Sequence, residues 1–311
     1  KEREMPDFSN MEAFGYTYLQ RPLEALTMVY PNVDIENNDF DKLDDDKKQD
    51  IVKDLVGKNG LANNIQYETN KEYNYRFNFK YKEETKKKYG RFFNQDNIGK
   101  YSSKLKNITQ HIMNSNGIVM IYSNFIDGGV IPTALALEEM GFQRFSSMPS
   151  HNRNLFDGRA SSIEPIDYRM KKKSELDENT KYKPAKYVMI TGDKMFSPNN
   201  VEDLKYVTNE NNKNGEQVKV VIISKAAAEG LDFKNIRQIH LLEPWYNTNR
   251  SEQIIGRAVR NSSHCMLEFD KRNVEIYLHS TSPIDNKEAA DMYVYRYAEK
   301  KAKKIGKVTR L

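Results

Sequence analysis

The sequence has little cysteine and no long apolar run, and both absences limit what the chain can be. Cys265 is its single cysteine, so the chain cannot form an internal disulfide, which fits a reducing compartment such as the cytoplasm. No apolar stretch approaches the roughly 20 residues that cross a bilayer, and no signal peptide is visible. We therefore expect a cytoplasmic protein without a membrane partner.

Length and composition predict a folded core with a large polar surplus in loops. The chain has 311 residues, of which 38% are hydrophobic and 30% are charged. This size suits two modest domains or one enlarged domain. The sequence begins at Lys1 rather than at methionine, so we expect a piece of a longer protein.

Charge is unevenly distributed along the sequence. Residues 34–50 hold eight acids and three lysines, whereas residues 287–311 hold eight basic residues and three acids. A basic face can mark contact with nucleic acid, but tails of mixed lysine and tyrosine are more often just solvated. Both interpretations of the basic C-terminal segment, residues 285–311, stay open.

The acidic run at residues 44–46 predicts the start of a helix rather than a metal site. Acids in a first turn favour the helix macrodipole. The positions that follow have helical apolar spacing and end at Gly57; they are Ile51, Val52, Leu55 and Val56. We therefore predict no metal ligands in this chain.

Residues 1–104 have weak periodicity and predict an irregular N-terminal extension. Within it, the segment from Gln20 to Val29 has helical character. The segment from Tyr67 to Tyr81 alternates polar and aromatic residues, as a strand or a hairpin does.

From residue 105 onward the pattern predicts an α/β fold. One helix is expected near Leu105 to Met113, and another opens at Pro132 and closes near Gly141. Short apolar runs occur at 117–122, 186–191, 218–224, 238–243 and 274–279. Such runs separated by helices are typical of a parallel sheet with helices on both faces.

The carboxyl ends of these strands form a first candidate site, because ligands of open parallel sheets gather at that edge. The sequence places hydroxyl, glycine and lysine residues there, namely Tyr122, Ser123, Thr191, Gly192, Ser224 and Lys225. For any one position, a strand-end Ser or Thr that caps a helix is the simpler explanation. Their recurrence at one edge favours a ligand site.

Residues 143–186 interrupt the α/β pattern as a long insertion. Basic and aromatic residues alternate within it, including Arg153, Arg159, Arg169, Phe145, Phe156 and Tyr168. This composition suits single-stranded nucleic acid, and a long polar insertion is as often a disordered loop. The two interpretations are equally supported.

A helix that carries Gln253, Arg257 and Arg260 is predicted to form a second candidate site. At about 100° per residue, Gln253, Arg257 and Arg260 fall within about 60° of one another. Gly256 borders this face and removes a side chain where a ligand could approach. Two guanidiniums suit a polyphosphate, because their planar forks bind its oxygens bidentately. The opposite side is predicted to face the core, through Ile254, Ile255, Ala258 and Val259.

The spacing Gln-x-x-Gly-Arg-x-x-Arg, from Gln253 to Arg260, resembles motif VI of superfamily 2 helicases and translocases. Upstream, the segment from Ser224 to Asp232 looks like their motif V. With the flanking segments Leu242–Asn247 and Arg260–His264, the chain is similar to helicase-like NTPases of large cytoplasmic DNA viruses. These include the poxvirus early transcription factor small subunit, the nucleoside triphosphatase I group and giant-virus relatives.

The resemblance implies that residues 105–284 are a RecA-like second motor lobe and that residues 1–104 link the two lobes. In that family Arg260 would be the arginine finger and Arg257 would contact the γ-phosphate. Gln253 and Gly256 would help to form the cleft, and Gly230 with Asp232 would approach the ribose side of the nucleotide. The strand-end residues resemble motifs IV, IVa and V, which grip a nucleic-acid backbone.

The sequence lacks the phosphate loop that a helicase motor needs, Gly-x-x-x-x-Gly-Lys-Ser/Thr. Gly99-Lys100 is followed by Tyr101, and Asn94 occupies the position of the first glycine. Asp177-Glu178 does not follow an apolar strand, so the acidic strand end that holds magnesium is also absent. The resemblance therefore implies that ATP with Mg²⁺ is bound mainly by a first lobe outside this sequence, and that this chain alone is inactive as an ATPase.

The implied partners are the backbone of RNA or DNA, the N-terminal RecA-like lobe of the same protein and, for a transcription motor, a viral RNA polymerase. The location would then be the host cytoplasm or the virion. The alternative is a non-catalytic docking module for a polymerase or transcription complex. That alternative gives no reason for Gln253, Arg257 and Arg260 to share a helix face.

Overall fold

The structure is a computed structural model and describes residues 17–32, 42–69, 76–157, 163–225, 230–283 and 287–309. Its helices are α1 (Thr17–Thr27), α2 (Asp45–Leu55), α3 (Gly57–Asn64), α4 (Glu83–Tyr89), α5 (Ser103–Met113), α6 (Ile131–Glu139), α7 (Asn200–Thr208), α8 (Thr248–Ala258) and α9 (Ala290–Val308). Its strands are β1 (Ile65–Thr69), β2 (Arg76–Tyr81), β3 (Ile118–Ser123), β4 (Gln143–Arg144), β5 (Lys186–Ile190), β6 (Val220–Ser224), β7 (Ile236–Leu241) and β8 (Glu275–Leu278).

The main sheet has six strands in the order β4-β5-β6-β3-β7-β8, and all neighbouring strands are parallel. Each strand overlaps one of the predicted apolar runs except the two-residue β4, and β7 begins two residues before its run. Buried parallel strands need side chains that tolerate contact on both faces, so continuous apolar runs mark them well. The predicted α/β fold is confirmed.

Helices cover both faces of this sheet. On one face, α5 and α6 pack against β3, β5 and β6 through side chains such as Ile108, Leu135 and Ile121. On the other face, Val207 of α7 and Ile254 of α8 pack against alternate residues of the same strands. Because successive strand residues point to opposite faces, one strand supplies both cores.

The N-terminal region is more regular than its sequence indicates. The pair β1 and β2 is an antiparallel hairpin, and α2 begins where predicted, with Asp44 capping the Lys47 amide at 2.8 Å. Aromatic residues of this region, including Tyr30, Phe92 and Phe93, belong to the same buried cluster as α5 and α6. The described part of residues 1–104 is therefore packed onto the sheet domain. Residues 1–16, 33–41 and 70–75 lie outside the described residues.

The described part of the insertion is packed rather than disordered. Leu155, Ile166 and Ala185 are buried in the core. Its cations lie against aromatic rings of the same chain: Arg153 is 4.5 Å from the Phe77 ring centroid, and Arg169 and Lys183 both lie over the ring of Tyr168. Arg159 lies outside the described residues.

Two further predictions concern membranes and the C-terminal segment. Among the described residues, no helix is both long and apolar enough to cross a membrane. The basic segment forms α9, in which Asp291, Val294 and Ala298 are buried. One side of this segment is thus part of the packed structure, and the lysines lie largely on its exposed side.

Candidate nucleotide and nucleic-acid sites

Arg257 and Arg260 converge on the carboxylate of Asp232. Arg257 Nη1 lies 3.4 Å from Asp232 Oδ1, and Arg260 Nη1 pairs with Asp232 Oδ2. The three side chains are 30%, 51% and 55% exposed for Arg257, Arg260 and Asp232 respectively. The cluster therefore faces solvent and carries two positive charges against one negative charge.

Arg260 does not lie on the helix, contrary to the prediction. Helix α8 ends at Ala258, and Val259, predicted to face the core, is 44% exposed. The helical pattern of the sequence continues past the point at which the helix ends. Arg260 nevertheless reaches the polar side, because the turn after the helix brings it back towards Asp232.

Ser263 and His264 fix that turn, and sequence reasoning gave them no role. The Arg260 amide donates to Ser263 Oγ at 3.2 Å, and the Ser263 amide donates to the Arg260 carbonyl at 3.1 Å. His264 Nε2 lies 2.6 Å from the Ile236 carbonyl oxygen. These bonds tie the arginine turn to the start of β7.

The segment that carries Asp232 is also tied to α8. The amide of Phe233, a buried residue, donates to the Arg257 carbonyl at 3.0 Å. The structure therefore brings the described part of the motif V-like segment against the motif VI-like helix. Residues 226–229 of that segment lie outside the described residues.

The approach to this cluster is open. A Cβ built on Gly230, whose φ is +81°, or on Gly256 would meet no atom of the described residues within 4 Å. Gln253 is exposed one helical turn before Arg257. Two guanidiniums beside unobstructed backbone fit a polyphosphate, because phosphate oxygens accept bidentate bonds from arginine.

The carboxyl ends of the central strands bring the predicted strand-end residues together. Ser123 and Ser224 are paired positions of β3 and β6. The Gly192 amide, after β5, donates to Ser224 Oγ at 3.4 Å. The sequence correctly placed these residues at one edge of the sheet.

Most of the side chains at this edge are buried and bonded within the protein. Ser123 Oγ donates to Glu243 Oε1 at 3.0 Å, Thr191 Oγ1 lies 2.7 Å from Ser197 Oγ, and the Tyr122 hydroxyl donates to Asn124 Oδ1 at 2.9 Å. Only Gly192 and Lys225 of the predicted set are exposed. A ligand at this edge would therefore meet an ammonium and backbone groups rather than free hydroxyls.

The buried side chain of Glu243 holds residues of the same edge by hydrogen bonds, a role that the sequence did not predict. Its carboxylate accepts from the Asn124 amide at 2.9 Å and from Ser123, and Thr27 Oγ1 of α1 lies 3.2 Å away. Burial raises the pKa of Glu243 to about 7. The backbone of Gly129 packs directly against this network, since a Cβ there would lie 1.9 Å from Ser123 Oγ. A side chain at position 129 would therefore break this network.

The two candidate sites lie at opposite ends of β7. The arginine cluster is tied to Phe233 and Ile236, at the amino end of the strand. Glu243 and the strand-end residues lie beyond Leu241, at its carboxyl end. Within the described ranges, no group of three or more His, Cys, Asp or Glu side chains could hold a metal ion.

Comparison with known proteins shows what this chain is similar to. Residues 168–262 match the helicase conserved C-terminal domain family. The chain is 31% identical over 196 residues to a putative ATP-dependent RNA helicase of Acanthamoeba polyphaga mimivirus, covering 62% of this chain and 28% of that protein. It is 32% identical over 189 residues to a termination factor NPH-I homolog of African swine fever virus, covering 57% and 26%.

A putative helicase of Invertebrate iridescent virus 3 is 25% identical over 223 residues, covering 69% of this chain and 20% of that protein. A crystal structure of the C-terminal part of the Fun30 ATPase domain aligns with a TM-score of 0.39 and 13% identity, covering 65% of this chain and 46% of that chain. The chain spans less than a third of the length of these viral relatives. Part of the chain thus matches the helicase conserved C-terminal domain, and the chain resembles helicase-like proteins of large DNA viruses, as the motifs predicted.

Proposed function

We propose that this chain is the second RecA-like lobe of an ATP-dependent nucleic-acid helicase or translocase that serves viral transcription. The observation that supports this most is the convergence of Arg257 and Arg260 at an open surface beside Gly230 and Gly256. A lobe kept only for docking would have no need of two adjacent guanidiniums with free access.

In this proposal the arginines act on the phosphates of a nucleotide held mainly by the first lobe of the same protein. Arg260 is the arginine finger, and Arg257 contacts the γ-phosphate, so both stabilise negative charge that develops during phosphoryl transfer. Gln253 aligns the cleft, and Asp232 and Gly230 lie towards the ribose. ATP with Mg²⁺, when bound, supplies the phosphoryl group and the neutralising cation.

The nucleic-acid backbone, of RNA or DNA, is proposed to lie at the carboxyl ends of the central strands. Lys225 and the Gly192 region offer the accessible groups there. Tyr122, Ser123, Thr191 and Ser224 hold the loops in place from below. A termination factor is among the relatives, which supports a viral RNA polymerase as a partner and the host cytoplasm or virion as the location.

The test is Arg260→Ala and Arg257→Ala in the whole protein. We expect each to lower ATP turnover on the order of 10³-fold, the effect of losing a transition-state arginine. Thermal unfolding should be almost unchanged, because the Arg260 side chain is half exposed. Arg296→Ala, which removes an exposed arginine from α9, is the matched control and should keep its turnover. Near-normal turnover in both cleft variants would favour the docking module, and unfolding of the lobe would remove this face from the nucleotide.

A further inference from the structure

Trp245, the single tryptophan of the chain, holds two cations against its indole ring. Arg250 Cζ, from the first turn of α8, lies 4.0 Å from the ring centroid, and Lys225 Nζ, after β6, lies 5.2 Å from it. Both distances are within the roughly 6 Å range of a cation–π contact, and tryptophan is the best aromatic partner. The ring therefore joins two cations from different crossovers at the carboxyl edge of the sheet.

These two cations differ from the arginines of the nucleotide site. Arg257 and Arg260 pair with a carboxylate, whereas in the part of the chain that the structure describes neither Arg250 nor Lys225 forms an ion pair. The Nη1 atom of Arg250 is buried and makes no hydrogen bond to any described residue. Within the described residues, a guanidinium and an ammonium that both lack a carboxylate partner are suited to an anion with several oxygens.

The start of α8 adds to the same positive region. Its N-cap residue, Asn247, makes no side-chain hydrogen bond to the first turn. The first amides of the helix are therefore not capped by that side chain, and the helix dipole favours negative charge at this end. Arg250 lies in this turn, so the helix end and the two cations all favour an anionic ligand.

We propose that Trp245 is a positioning residue that holds Arg250 and Lys225 as a clamp for phosphates of a nucleic-acid backbone. The proposal rests on the proposed function and names residues that bind its substrate. Phosphates fit better than bases, because the Arg250 guanidinium already stacks on the indole ring. Contacts of this kind fix the register of the backbone and do not read its sequence.

The test follows the binding of a fluorescein-labelled oligo(dT) to the 311-residue chain by anisotropy, from about 50 to about 200 mM salt. Each lost phosphate contact on a single strand should reduce the slope of log K against log salt by about 0.7. Arg250→Ala should show this reduction. Trp245→Ala removes no charge, yet it should flatten the slope as well, because the two cations lose their common support. Trp245→Phe keeps an aromatic ring and should restore most of the slope.

Arg296→Ala is the matched control, since Arg296 also lies over an aromatic ring, that of Tyr293 at 5.2 Å, but on α9. It should leave the slope unchanged. Two results together would show that the indole stacks on bases and that the clamp is wrong. Trp245→Ala would weaken binding at an unchanged slope, and an abasic oligonucleotide would bind wild type and Trp245→Ala equally. Should Trp245→Ala fail to fold, an unchanged slope in Arg250→Ala alone overturns the proposal. A wild-type chain that bound no oligonucleotide at any salt would overturn both the clamp and the proposed function, whereas a slope indifferent to Arg250 overturns the clamp only.

Discussion

Asp232 pairs through Oδ2 with the guanidinium of Arg260, and through Oδ1 with Arg257. The residue expected at the ribose side of a nucleotide thus also neutralises part of the charge of the expected arginine finger. Exposed ion pairs of this kind contribute only about 0–1 kcal/mol. A phosphate that binds the arginines can therefore displace the carboxylate at small cost.

Asp232→Asn should strengthen the binding of inorganic tripolyphosphate to this chain. The variant removes a negative charge that competes with the phosphates, so an increase of about 2- to 5-fold is expected from the strength of exposed pairs. Isothermal calorimetry at low salt measures it. Tripolyphosphate has no ribose, so the result separates competition for the arginines from a ribose contact. The exposed Asp270→Asn is the control, and weaker binding by Asp232→Asn would contradict the competition.

The chain by itself should not hydrolyse ATP, with or without nucleic acid. Its arginines can bind phosphates, but the sequence holds no phosphate loop and no acidic strand end to position magnesium. Phosphate release by the purified chain should equal that of Arg260→Ala, which serves as the control for a contaminating ATPase. Nucleic-acid-stimulated turnover that Arg260→Ala abolishes would show that a complete site exists in this chain.

The central strands β3, β5 and β6 were predictable, because strands buried on both faces are largely apolar. β3 occupies Ile118–Ser123, within one residue of the run at 117–122. Their shared carboxyl edge followed from parallel pairing, so Ser123 and Ser224 were correctly placed together. Arg257 and Arg260 were recognisable because their spacing is local.

What the sequence did not reveal depends on distant contacts. The burial of Ser123 Oγ is decided by Glu243, which lies 120 residues later in the chain. The end of α8 is decided by the turn that Ser263 stabilises, and helical spacing through Val259 gives no sign of it. The N-terminal region joins the core through residues outside its helices, such as Tyr30, Phe92 and Phe93, which belong to the same buried cluster as α5 and α6.

Lys225→Ala should weaken nucleic-acid binding more than Ser224→Ala does. Lys225 is exposed at the strand edge, whereas Ser224 is buried and accepts a bond from the Gly192 amide. Binding should be nearly indifferent to base sequence and should fall steeply with salt, since counterions are released from each phosphate contact. Anisotropy across a salt series on two unrelated oligonucleotide sequences checks both points. Unchanged affinity in both variants, or strong preference for one sequence, would exclude this surface from the mechanism.

Glu243 should make the stability of the fold depend on pH. Burial raises its pKa to about 7 in the folded chain, from an ordinary value of 4.5, so the folded state holds the proton more tightly than the unfolded state. Its contribution to stability is therefore complete below about pH 4.5 and is lost as pH rises through about 7, by about 3 kcal/mol for this shift. Glu243→Gln cannot ionise, so the free energy of unfolding of wild type relative to this variant should fall as pH rises from about 5 to about 8.

Urea denaturation of both proteins at a series of pH values measures that difference. Taking a difference is necessary because His240 and His279 act in the opposite sense. Burial lowers their pKa values to about 2 and about 4, so the stability they contribute is lost as pH falls below about 6.5.

The carboxylate of Glu243 accepts hydrogen bonds through both of its oxygens. The side-chain amide introduced by Glu243→Gln has a single acceptor oxygen, so the variant also loses about 1–3 kcal/mol that does not depend on pH.

The exposed Glu252→Gln on α8 is the matched control for this pH series, because it removes a carboxylate that lies in solvent. Its stability relative to wild type should not change between about pH 5 and about pH 8. A difference between wild type and Glu243→Gln that also stays constant over this range would mean that Glu243 does not titrate there. The network beneath the strand edge would then hold an ionised carboxylate throughout.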